Sequence, residues 1–108
     1  MTLKSQTGRQ VFVTNLGAHN YAKAERFGDL VPVTQARVNL FHTDRLLEDI
    51  RSALAAMGPE DYVLTSGNPL ISGLVVAEVI SRFRRVNFLY WDPLYQDYIV
   101  RPWPKEAA

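Results

Sequence analysis

The chain has 108 residues, 47% of them hydrophobic and 21% charged, and twelve Lys and Arg against eleven Asp and Glu leave a formal net charge of +1. That length gives one domain with a modest core, and the near-neutral balance points to neither nucleic acid nor a membrane surface. With no cysteine, disulfides, thiolate catalysis and zinc sites built on sulfur are excluded.

Residues 1–10 (MTLKSQTGRQ) read as a flexible polar leader without the apolar core of a secretory signal. No apolar run approaches the ~20 residues of a membrane span. Val11 to Thr14 is a first strand, too apolar for an exposed edge, and it leaves through the loop Asn15-Leu16-Gly17-Ala18-His19-Asn20. Tyr21 to Phe27 makes about two helical turns, with Gly28 in the glycine stop position. Leu30 to Val33 is a second short strand, and Pro32, unable to donate to a ladder, places it at an edge. Val38 to Phe41 fits either a strand or an extended connection.

Thr43 is positioned to cap a helix whose stripe is Leu46, Leu47, Ile50, Leu54 and Met57, ended by Gly58-Pro59. Residues 61–92 then read as strand, turn, helix, turn, strand. Tyr62 to Leu64 and Val86 to Trp91 are the strands, and Leu70, Ile71, Leu74, Val75, Val79, Ile80 and Phe83 recur between them at helical spacing. Glu78 and Arg82 form an i,i+4 pair, and Gly73, Ala77 and Ser81 make a small-residue face suited to close approach by a neighbour. A turn over 92–97 returns the chain as Tyr98 to Val100. The reading is a single α/β domain over 11–101 with a tail over 102–108: a small three-layer, Rossmann-like sheet of the truncated flavodoxin-like kind. Its central order is 2-1-3-4, and it carries a C-terminal antiparallel hairpin.

In such a sheet, ligands bind beyond the carboxyl ends of the strands, where the order reverses. Two loops meet that description. Thr65-Ser66-Gly67-Asn68-Pro69 opens the helix at 69–83, and the same residues serve an ordinary cap or an anion-binding loop. Asn15, Gly17, His19 and Asn20 leave the first strand on the same side, and Asp92, with Trp91, ends the fourth. The candidate ligand contacts are therefore Asn15, Gly17, His19, Asn20, Thr65, Ser66, Gly67, Asn68 and Asp92. A catalytic reading would make Ser66 the nucleophile, His19 the base and Asp92 its orienter, but no motif supports it: GxSxG, GxGxxG and the P-loop pattern are absent. His19 and His42 lack carboxylates at metal-ligating spacing. No catalytic residue, metal or cofactor is assigned.

The segments FVTN-x-G-x-H-x-Y-x-x-AERFG-x-LV, TDRLLEDI, PEDYVL-x-SG and VNFLYWD carry a resemblance that runs from Val11 to Val100. The chain resembles a group of small uncharacterised proteins common in bacteriophage and metagenomic sequence. That setting implies a small phage accessory protein in the host cytoplasm, of the size of proteins that capture nucleotide immune signals in anti-defence. The expected function is a non-enzymatic binding protein for an anionic, nucleotide-like small molecule. The alternative is an interaction factor that inhibits or regulates a host protein and has no small ligand. No nucleic acid or membrane partner is expected. The apolar excess of helix 69–83 and the aromatics Tyr90, Trp91, Tyr95, Tyr98 and Trp103 imply a homo-oligomer, with a dimer as the first expectation.

Overall fold

Alternation along the first strand decides the layers. In the computed structural model, which describes residues 8–35 and 37–105, β1 (Gln10–Val13) sends Phe12 to one face of a sheet and Val11 and Val13 to the other, all three fully buried. A strand buried on both faces must be interior. β1 accordingly lies between β2 (Asp29–Pro32) and β3 (Tyr62–Leu64), with Phe12 in register with Val31 and Val63. β4 (Val86–Asp92) pairs in parallel with β3, and β5 (Asp97–Trp103) returns antiparallel along β4. The order is β2-β1-β3-β4-β5, so the 2-1-3-4 arrangement read from sequence is present and the Pro32 strand sits at an edge. The fold is thus a small α/β protein with a mixed, mostly parallel five-stranded sheet.

Both long helices cover the Phe12 face. α1 (Thr43–Ala53) contributes Leu46 and Ile50, and α2 (Pro69–Phe83) contributes Ile71, Val75 and Val79, packed with Phe12, Val63 and Val86. Each such side chain, fully removed from water, contributes on the order of 1.5–3 kcal/mol. The opposite face carries Val11, Val13, Tyr62, Leu64, Leu89 and Tyr98 under Tyr21 and Ala24 of the Tyr21–Phe27 segment. Residues Ala22–Phe27 form a 3₁₀ helix, tighter than the two α-helical turns expected.

Several local expectations are corrected. Gly28 does not stop that helix in a left-handed turn: its φ of 162° is extended, and glycine is required because a Cβ there would stand 2.4 Å from the Arg9 carbonyl oxygen. Thr43 is the first helical residue of α1 and the cap is His42, without a side-chain hydrogen bond. Residues 37–42 form neither strand nor helix. Glu78 bonds Arg51 on α1 at 2.8 Å, and Arg82 donates to the Leu54 carbonyl, so both tie α2 to α1 and do not pair with each other. Gly73, Ala77 and Ser81 face outward, and nothing lies within 4 Å of a Cβ at Gly73, so that face receives no close neighbour. β5 runs to Trp103, past the expected end at Val100 and into the expected tail. Of the expected leader, residues 1–7 lie outside the described residues, as do 106–108 of the tail. Among the described residues, no helix is long and apolar enough to cross a membrane.

Candidate functional site

The carboxyl ends of β1 and β3 are stitched together by side chains. The Thr14 hydroxyl donates to the Ser66 carbonyl at 2.9 Å and accepts from the Ser66 N–H at 2.9 Å. Asn15, almost fully buried, donates to Thr34 Oγ1 at 3.0 Å and to the Gln35 carbonyl at 2.6 Å, and its Oδ1 accepts from the Asn68 N–H at 3.0 Å. Thr34 in turn donates to the Thr14 carbonyl. These bonds fill the base of the crevice between β1 and β3, and Asn15 faces the protein there.

Open space lies beyond these bonds, between the loop after β1, the turn after β3 and the end of β4. A cleft of about 730 Å³ sits on the ends of β3 and β4, with Leu64 and Leu89 as its apolar floor. Tyr21, Tyr90, Trp91 and Tyr98 wall it, and His19, Asn20, Thr65, Ser66, Gly67 and Ser72 complete its polar margin. Its size and its mix of aromatic and hydroxyl groups are those of a small-molecule site. The walls are fixed. Tyr21 OH meets Ser66 Oγ at 2.7 Å and accepts from the Gly17 N–H at 3.1 Å. Trp91 and Tyr98, opposite each other across the hairpin, make an edge contact with ring centroids 5.0 Å apart. Burial, with Tyr21 nearby, pushes the Tyr98 phenol up, so it enters the wall as a neutral O–H.

The hairpin is anchored to the 3₁₀ helix at the same rim. Arg26 grips the Asp97 carboxylate with bonds of 2.6 and 2.7 Å, and Lys23 lies 5.7 Å over the Trp91 ring while donating to the Gln96 carbonyl. Hydrogen bonding from Arg26, then from the Tyr98 N–H, holds the Asp97 carboxyl below its ordinary value.

Five of the nine residues singled out from sequence line this cleft, His19, Asn20, Thr65, Ser66 and Gly67, while Gly17 stands outside it and bonds the Tyr21 wall. Asn15 and Asn68 stand behind it. Asn68 caps α2, accepting from the Leu70 N–H at 2.9 Å and the Ile71 N–H at 3.4 Å, while the Ser72 N–H is bonded to its carbonyl and Pro69 has no N–H. The first turn of α2 is thus already capped by Asn68, and Ser66 is not the cap. Asp92 accepts from the Leu94 and Tyr95 N–H groups within its own turn. Ser66 Oγ meets a phenol and not an imidazole, while His19 makes an edge contact with Tyr21. Among the described residues no group of His, Cys, Asp or Glu could hold a metal ion. Sequence reasoning missed Ser72, placed Trp91 with Asp92 at this rim, and read Tyr90 and Tyr98 as aromatics of an interface. Ser72 could have been found from its position on the first turn of α2, beside the Ser66 turn. A second hollow, about 450 Å³, lies beyond Thr34 and is lined by Arg37 and Arg45 together with Asp49.

A small α/β protein with a mixed five-stranded sheet, bearing an aromatic cleft at the carboxyl rim, is what the chain and its geometry define. The chain belongs to the phage Pam3 gp32-like protein family, whose model matches residues 5–103, nearly its whole length. The phage-type resemblance carried by the FVTN, AERFG and VNFLYWD segments is thereby shown. No curated protein and no solved structure matches the chain.

Proposed function

We propose that this protein binds a small planar molecule of the nucleoside or nucleotide kind in the rim cleft and does not transform it. The observation that carries the reading is the cleft itself: about 730 Å³, with four aromatic walls and the hydroxyls of Thr65, Ser66 and Ser72, at the strand ends. We read the sheet as a truncated, flavodoxin-like version of the doubly wound fold, in which that rim is the binding side. Stacking on Tyr or Trp is tolerant of base identity and is worth about 1–3 kcal/mol per base. A binding role is favoured over catalysis because Ser66, the candidate nucleophile, is held by Tyr21. The α2 amides, already bonded to Asn68, lend no support to a phosphate at that helix. In a phage setting, acting in the host cytoplasm, such a protein would serve to sequester a nucleotide-derived signal.

Thermal-shift and calorimetric screening with nucleosides, nucleotides and cyclic nucleotides tests this. A binder at a hundred times its Kd adds about 2.7 kcal/mol and raises Tm by roughly 10 °C or more. It should also quench Trp91 fluorescence, a signal lost in Trp91→Phe. A flat response across the panel would end the reading.

The hairpin favours a second reading, an interaction surface. Leu94 and Tyr95 at its tip are 80% and 74% exposed, and Tyr90 and Trp103 on one face are 58% and 51% exposed. The free edge of β5 is poorly suited to strand addition. Pro102, which has no N–H, faces Asn87 in the ladder, so by alternation Tyr98, Val100 and Pro102 turn their backbone groups outward. Of these, the Tyr98 N–H is taken by Asp97 and the Tyr98 carbonyl by Arg26. A dimer, if this surface forms one, should therefore join hairpin faces and leave the sheet edges apart. Light scattering at micromolar concentration is expected to give twice the 12.3 kDa chain mass, and a monomer mass throughout would remove the dimer.

A further inference from the structure

Taking the cleft as a binding site, as above, we propose that it selects a ligand by a paired edge. An acceptor atom on a planar ring meets the Tyr21–Ser66 hydroxyl pair, and an adjacent ring or exocyclic N–H meets Ser72. That is the cis-amide or amidine edge of a nucleobase, read without regard to phosphate.

Each hydroxyl carries one hydrogen and two acceptor sites. Thr14 Oγ1 lies 2.8 Å from Ser72 Oγ, 2.9 Å from the Ser66 carbonyl it donates to, and 2.9 Å from the Ser66 N–H it accepts from. Thr14 gives its one hydrogen to the Ser66 carbonyl, so at the 2.8 Å contact Ser72 is the donor and Thr14 the acceptor. The hydrogen of Ser72 therefore points inward, and toward the cleft Ser72 is an acceptor.

The Tyr21–Ser66 pair behaves oppositely. The two oxygens are 2.7 Å apart and share one of their two hydrogens, whichever of them donates. The Gly17 N–H already occupies an acceptor site on Tyr21. The second hydrogen has no partner in this network and is available to the cleft, so the pair presents one donor. The Ser66 backbone and the Ser72 hydroxyl are both tied to Thr14, and this donor and the Ser72 acceptor line the same cleft between aromatic walls. A planar ring bearing an acceptor beside an N–H satisfies both. A ring lacking the N–H leaves the Ser72 lone pair unmatched and desolvated.

Charge supports the second half of the proposal. The residues lining the cleft include no Asp, Glu, Lys or Arg; His19 is the one basic side chain in the lining, and the Lys23 ammonium at the rim is engaged by the Trp91 ring and the Gln96 carbonyl. Affinity should depend little on phosphorylation or ionic strength.

The test is calorimetry on the full chain with uridine, inosine, their 5′-monophosphates, and 3-methyluridine and 1-methylinosine, which lack the ring N–H. The parents should bind, methylation should weaken binding about tenfold to a hundredfold, and the phosphate should change it by less than about threefold. Ser72→Ala should bring parent and methylated forms to similar affinity. If that variant does not fold, the wild-type series decides alone. Equal binding of methylated and parent nucleosides would overturn the paired edge and leave the cleft reading standing. Binding of the monophosphates alone would overturn the charge argument and point to the hollow around Arg37 and Arg45. No binding by any member would remove the cleft reading for nucleosides and this inference with it.

Discussion

Gly67→Ala is expected to destabilise the protein severely, by about 3 kcal/mol or more. Two independent terms add. Gly67 has a φ of +74°, in the left-handed region, where a Cβ costs about 1–2 kcal/mol. That Cβ would also lie 2.2 Å from Asn15 Oδ1 and under 3 Å from Asn15 Cγ and Cβ. Asn15 cannot swing aside, because its amide is fixed to Thr34 and Gln35 and its Oδ1 to the Asn68 N–H. Moving it leaves buried polar groups unpaired, at about 1–3 kcal/mol. Against a total stability of roughly 5–15 kcal/mol, that is a large fraction. Urea denaturation should show the midpoint fall with little change in slope. A midpoint within error of the parent would show that the turn has room and conformational freedom that its geometry denies. Gly67, a candidate ligand contact from sequence, thus reports on the fold as well.

Gly67 also marks the boundary of what the sequence made legible. Features set by local pattern could be read directly. Apolar runs gave the strands, helical spacing together with Asn68-Pro69 gave α2 over Pro69–Phe83, and Pro32 gave an edge. Strand order followed from alternating strands and helices. What spacing could not show were contacts between distant segments. Asn15 looked like a loop residue offering its side chain to a ligand, and its partner Asn68 is 53 residues away. Gly28 looked like a helix stop, whereas its constraint is the Arg9 backbone passing beside it. Trp91 and Tyr98 became one wall of the cleft only through the β4–β5 register, which fixes both side chains on the same face. The cleft lies between the loop after β1 and the turn after β3, the two segments singled out from sequence, and its extension over β4 depends on the same register. Nothing in the local sequence of Asn15 distinguishes a filling Asn from a binding one.

Asn15→Asp is the sharper probe of the filled base of that crevice, because it keeps the size and one of three hydrogen bonds. The carboxylate can still accept from the Asn68 N–H. The amide's two donations, to Thr34 Oγ1 and to the Gln35 carbonyl, disappear. Thr34 cannot compensate by donating, since its hydrogen is engaged by the Thr14 carbonyl. The carboxylate would therefore face the Gln35 carbonyl in a nearly fully buried site, an oxygen against an oxygen 2.6 Å away if nothing relaxed. Each lost buried partner costs about 1–3 kcal/mol, so the expected loss is about 3 kcal/mol or more near neutral pH. Asn15→Ala should cost a similar amount at all pH values. The aspartate variant should recover partly on acidification, because a protonated carboxyl regains one donor and sheds its buried charge. Denaturation curves for both variants at acidic and neutral pH distinguish the cases. Recovery of the aspartate variant but not of the alanine variant would show that the buried charge and the missing donor, and not packing, cause the loss. Equal, pH-independent losses would assign the effect to packing alone.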